Sequence, residues 1–102
     1  MKDLNVKITA IHFNPDWRLE EFIKNKVSKL RVFNEYISEA EVNLSLERSN
    51  SKNYNSKVVK IKVFDNRNEY FAEKKDATFE KATDLAVEAL RSQILKAKEK
   101  NR

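Results

Sequence analysis

The chain has 102 residues, a formal net charge of +5 and a pI near 9.5, with no cysteine and no glycine. A domain of this size buries roughly 60–65% of the surface its unfolded chain exposes, enough for one modest core. The absence of cysteine excludes a disulfide framework and a thiolate metal site, and the basic balance points to an anionic partner, nucleic acid before membrane.

The N-terminal MKDLNVKITAIHFN lacks the apolar region of a secretion signal, and no stretch is long enough to span a bilayer. The expectation is a cytoplasmic protein without a membrane partner. Residues 4–10 alternate Leu4, Val6, Ile8 and Ala10 with Asn5, Lys7 and Thr9, the period of a strand with one buried face. Asn14, Pro15 and Asp16 then predict a helix start, with Asn14 as the cap and Pro15 at the first helical position. Leu19, Phe22, Ile23, Val27 and Leu30 fall on one face of that helix, which runs to about Arg31.

A second strand is expected over residues 40–47, where Ala40, Val42, Leu44 and Leu46 alternate with polar neighbours. Residues 48–56, RSNSKNYNS, are polar and aperiodic and read as a mobile loop. Val59, Ile61 and Val63 mark a third strand. Residues 65–68 read as a turn, with Asp and Asn supplying left-handed dihedrals where glycine is missing. A short fourth strand is expected over 69–74, and a long helix capped by Asp76 runs to about Lys98.

The order β-α-β-β-β-α, with strands asking for cover on one face and two amphipathic helices to supply it, predicts an α+β two-layer sandwich. The four-stranded sheet would carry both helices on one face. The first two strands would be parallel, joined by a right-handed crossover. Residues 1–102 read as one domain.

Catalytic chemistry has little to work with. The single histidine, His12, stands at a strand end, where a structural role is the commoner one. Without glycine there is no phosphate-cradling loop, and the carboxylates are scattered. The chain reads as a non-enzyme with no cofactor, no metal and no small-molecule substrate.

The cations are placed unevenly. From residue 91 onward stand Arg91, Lys96, Lys98, Lys100 and Arg102 against Glu99 alone. Acids precede them at Asp76, Glu80, Asp84 and Glu88, an order that suits the helix macrodipole. The first helix adds Lys24, Lys26, Lys29 and Arg31. Lys26 falls inside the apolar stripe of Phe22, Ile23, Leu30 and Phe33. It either snorkels along the core edge, meets a carboxylate of the second helix, or presents a cation at the seam between helices. Gln93 sits similarly on the last helix and reads as a satisfied amide at the end of the core. Lys60 and Lys62 face Glu41, Ser45 and Glu47 across the open sheet face, so that face should be mixed in sign. Tyr36 and Tyr54 are candidates for base stacking, against the commoner role of half-buried tyrosines.

KVSKLRVF after a helix, AEVNLSLE as a strand and ATDLAVEALRSQILKAKEK as a closing helix together resemble the ribosome hibernation promoting factor family, also called ribosome-associated translation inhibitors. The likeness covers about residues 3–98 and rests on order and spacing, chiefly Lys26 to Leu30 and Asp84 to Val87 followed by Leu90. It implies a protein bound to the small ribosomal subunit and its rRNA, in the mRNA channel where tRNA anticodon ends would lie. Translation would be blocked and idle ribosomes preserved under stress. The positions matching the family's rRNA-binding residues are Lys26 and Lys29, then Arg91, Gln93, Lys96 and Lys98. Lys24, Arg31 and Lys100 extend that set as neighbouring cations. Longer members continue into a dimerisation domain beyond the position of Arg102, so the expectation is either a short form or a truncated chain, and pairing ribosomes would call for a helper protein. Departures are Ala10, where a glycine is common, the segment 48–56, long for a family loop, and Glu88 with Ala89, where many members carry a basic residue.

Two other readings remain. EKKDATFEKATDLAVEAL echoes a double-stranded-RNA-binding domain, although that fold begins with a helix. A protein-interaction or membrane-surface module would use the basic helix, whose Ala-rich face suits close packing better than insertion.

Overall fold

The computed structural model of the chain describes residues 4–48 and 55–100. Along them run β1 (Asn5–Ala10), α1 (Trp17–Ser28), a 3-10 turn (Lys29–Val32), β2 (Glu39–Arg48), β3 (Asn55–Phe64), β4 (Glu69–Asp76) and α2 (Phe79–Lys100). The strands make one sheet in the order β1-β2-β3-β4. β1 is parallel to β2, and the other neighbours are antiparallel. The predicted α+β order and the parallel first pair are both present.

The alternation in sequence becomes two faces in register. Ile8, Val42, Ile61 and Ala72 lie in one cross-strand row, on the face the helices cover. Ile23, Val27 and Leu30 close the core from the first helical segment, and Ala82, Ala86, Leu90 and Ile94 from α2. Each fully buried Leu or Ile stabilises by about 1.5–3 kcal/mol relative to exposure. The small Ala82 and Ala86, both without solvent contact, let α2 lie close to the sheet. Phe13 stacks on Phe79 with ring centroids 5.4 Å apart and seals one end of the core.

Helix and strand ends differ from expectation in ways that hydrogen bonding explains. Asp16, not Asn14, caps α1. Its carboxylate accepts the Arg18 N–H at 3.0 Å and its carbonyl accepts the Glu20 N–H at 3.1 Å. Aspartate and asparagine cap equally well, so the sequence alone does not choose between them. Asp76 is the last residue of β4, because the ladder with β3 continues as far as the Lys57–Asp76 pair. Thr78 caps α2 instead, its hydroxyl accepting the Lys81 N–H and its carbonyl the Ala82 N–H, each at 3.1 Å.

The β3–β4 turn also forms by another route. Among the described residues the only positive φ is that of His12, at 68°, so residues 65–68 use no left-handed residue. The Asp65 carboxylate closes the turn by accepting the N–H groups of Arg67 at 2.7 Å and Asn68 at 2.5 Å. His12 instead takes the left-handed bend after β1, at a cost of about 1–2 kcal/mol that a glycine would avoid. β2 and β3 extend into both ends of the segment read as a loop. Its centre, residues 49–54 including Tyr54, lies outside the described residues.

Candidate nucleic-acid interface

The direction of the helices decides where the cations meet. β1, β2 and β4 run one way, and α1 and α2 each fold back against the strand before them. The two helices therefore run parallel, with their N-termini at one end of the sheet and their C-termini at the other. Glu20, Glu21 and Glu80 stand at the first end with Arg18 and Lys81 among them, and Asp84 lies further along α2, level with Lys26. Lys24, Lys26, Lys29 and Arg31 join Arg91, Lys96, Lys98 and Lys100 toward the second.

Two of these cations lie on the seam. Lys26 is half-buried, with Nζ 3.0 Å from Asp84 Oδ1 on α2 and 5.5 Å from the centroid of the Phe22 ring. Of the readings open for Lys26, the carboxylate partner is the one found. Arg91 lies two turns further along, about 10 Å by helical rise. It pairs with Glu88 at 3.0 Å, and its guanidinium carbon stands 5.1 Å from the centroid of Phe33. Each cation is thus held over an aromatic face from the first helical segment. The sequence carries that signal in Phe22 and Lys26, four residues apart, although both phenylalanines also fit the apolar stripe of the core.

The other expected site residues lie around the seam. Lys29 is exposed on the outer surface beside the seam. Lys24 lines a groove between α1 and β1 with Asn25, Ser28 and Asn5. Arg31 is half-buried and borders a groove with Tyr36 and Lys98. Gln93 lies on the opposite side of α2, where its amide donates to the Phe71 carbonyl of edge strand β4 at 2.7 Å. That is the satisfied amide the sequence suggested. At 100° per residue Lys96 and Lys100 follow Gln93 on this flank, and both are exposed. The structure therefore brings Lys26, Lys29, Arg91 and Lys98 to the α1 side of α2, and leaves Gln93, Lys96 and Lys100 on the β4 side.

α2 also outruns its support. Ile94 is its last buried residue, and the helix continues to Lys100. The cationic end thus stands clear of the core, beside the β3–β4 turn. Asn34 braces that turn by donating to Asp65 at 2.9 Å. Burial pushes the Asp65 carboxyl up. The N–H groups of Arg67 and Asn68, the Asn34 amide and the Arg67 charge outweigh it and hold the group below its ordinary value.

The open sheet face is mixed, as expected. It carries Lys7, Lys60, Lys62 and Lys75 against Glu39, Glu41, Glu47, Glu69 and Glu73. Lys62 meets Glu69 at 3.6 Å and Lys75 meets Glu47 at 2.9 Å. Among the described residues no group of three His, Cys, Asp or Glu side chains is placed to hold a metal ion, and no helix is long and apolar enough to cross a membrane.

Residues 6–102 match the family described as sigma 54 modulation protein / S30EA ribosomal protein. The chain belongs to that family. Its fold is similar to that of a ribosomal subunit interface protein from Coxiella burnetii, with a TM-score of 0.81 at 18% identity over 94% of this chain and 99% of that one. The N-terminal domain of Thermus thermophilus Protein Y is similar at a TM-score of 0.66 and 18% identity, over 92% of this chain and 96% of that one. No curated protein sequence matches the chain.

Proposed function

We propose that this protein binds the small ribosomal subunit through the basic C-terminal half of its helical layer. It would occupy the channel used by mRNA and tRNA, inhibit translation sterically and preserve idle ribosomes. The observation that carries this reading is the parallel pair of helices, which gathers Lys26, Lys29, Arg91 and Lys98 toward one end while the open sheet face stays mixed. Membership of a family described as ribosomal supports the ribosome as the partner. The mechanism is occlusion and needs no catalytic group. Affinity comes from phosphate neutralisation, and the shape of the rRNA cleft supplies the fit.

The seam cations are already paired with Asp84 and Glu88. Solvent-accessible pairs are worth only about 0–1 kcal/mol, so a phosphate can displace the carboxylate from Arg91 at small cost and from the half-buried Lys26 at somewhat more. Lys24, Arg31, Lys96 and Lys100 would contact RNA on the flanks, and Gln93 would hold α2 to β4.

Co-sedimentation with vacant ribosomes and separated subunits over a salt series tests the reading. Neutralising about six phosphates predicts a log–log salt slope of about −4 to −5. Sedimentation with the small subunit, lost on raising salt, is the expected result. No association with any ribosomal particle at low salt would sink the proposal.

A further inference from the structure

Below the overhanging end of α2 lies a groove that the seam does not use. It has a volume of about 510 Å³ and is lined by Tyr36, Asn66, Arg67, Asn68, Tyr70 and Lys98, among others. That size is within the range of about 300–1,000 Å³ typical of small-ligand clefts. A second, smaller groove of about 240 Å³ shares Tyr36 and Lys98 and adds Arg31 and Phe33. Tyr36 and Lys98 thus form a ledge between two hollows.

Tyr36 is 62% exposed. It is nonetheless fixed at its backbone, because its N–H donates to Asn34 Oδ1 at 3.0 Å. Asn34 in turn donates to Asp65, and Asp65 accepts two N–H groups of the opposite wall. One hydrogen-bonded chain therefore joins the two walls and occupies the only carboxylate of the larger groove. What remains toward solvent is an aromatic ring, an ammonium, a guanidinium and the Asn66 amide, with the Asn68 amide beside them bonded to the Tyr70 hydroxyl.

These groups suit one chemistry. A ring with cations on either side stacks a base and holds its phosphate, and amides can reach base edges. A protein anchor would call for a mainly apolar pocket, and the lining here is as polar as it is apolar, with Lys98 and Arg67 its charged groups toward solvent. We propose that this groove holds one unpaired nucleotide of an RNA strand, its base stacked on Tyr36 and its phosphate between Lys98 and Arg67. The proposal rests on the RNA-binding reading above and adds a contact away from the Lys26–Arg91 seam.

The test titrates the isotopically labelled full chain with the tetraribonucleotide rU4 at low salt and follows its NMR resonances. The expected result is shifts at Tyr36, Asn66, Asn68 and Lys98, with the Lys26 and Asp84 signals little changed. Tyr36→Ala should weaken binding about tenfold, the scale of one base–aromatic stack, and Tyr36→Phe should recover most of that loss. Shifts confined to the seam, or a Tyr36→Ala chain that binds rU4 like the wild type, would overturn the groove. A free mononucleotide that binds as tightly as rU4 would overturn the RNA strand as its occupant. The same protein stocks are sedimented with small subunits. Ribosome binding with a silent groove ends this proposal alone. A responsive groove without ribosome binding ends the ribosome reading alone.

Discussion

On the open face of the sheet, Lys62 meets Glu69 on the adjacent strand and Lys75 of β4 reaches across β3 to Glu47 of β2, so charge of either sign is answered within the sheet. On the helical layer, acids outnumber cations toward one end and cations outnumber acids toward the other. The two surfaces draw on the same residue types. The difference is geometric: antiparallel pairing places β3 lysines beside β2 and β4 glutamates, whereas parallel helices add their like ends together. A basic chain therefore acquires a basic region only on the surface whose elements run the same way.

The severest way to break this contrast is to loosen the helix that carries half of it. Leu90→Ala opens a cavity beneath α2 and should cost about 3 kcal/mol in a urea unfolding curve. Next, Lys26→Glu with Arg91→Glu should weaken small-subunit binding about a hundredfold or more, near 2.7 kcal/mol. Lys60→Glu with Lys62→Glu, the same charge change on the sheet, should stay within about threefold, and equal losses from both pairs would erase the distinction. The turn beneath the cationic end gives a smaller effect. Asp65→Ala should destabilise by about 1–2 kcal/mol at neutral pH, by removing the acceptor of three hydrogen bonds. Because the folded protein lowers the Asp65 pKa, its contribution is present above the ordinary carboxylate value. It fades as pH falls from about 4 through the lowered value, and the variant should lack this part of the acid sensitivity in a pH series of melts. Smallest of all, Asp84→Asn with Glu88→Gln should tighten small-subunit binding about three- to fivefold by freeing the seam cations.

Much of this architecture could be read from side-chain period. Ile8, Val42 and Ile61 were legible as core-facing because alternation survives any choice of strand partner. The crossover that makes β1 and β2 parallel followed from helix placement. The ends were harder: Asp76 resembles a cap in sequence, yet the ladder with Lys57 claims it, and only the third dimension shows that. The site divided in the same way. Lys26 was recognisable as a polar residue in an apolar stripe. Its partner Asp84 depends on how far α2 slides along α1, which no local pattern encodes. The run from Arg91 to Lys100 looked like one patch in sequence, but helical rotation sends Gln93, Lys96 and Lys100 to the β4 side. Tyr36 stood out only as an aromatic, and it took the Asn34–Asp65 brace to reveal the wall opposite it.

The parallel helices also bear on how the protein would arrive. Separated acids and cations make the helical layer an electric dipole along its long direction. In the field of a polyanion such a body feels a torque before it feels a contact, so it would turn its cationic end forward while still about a Debye length away. Fewer collisions would then be wasted on the wrong face. A variant with the same net charge but scrambled polarity along the helices would keep its overall attraction and lose that sense of direction.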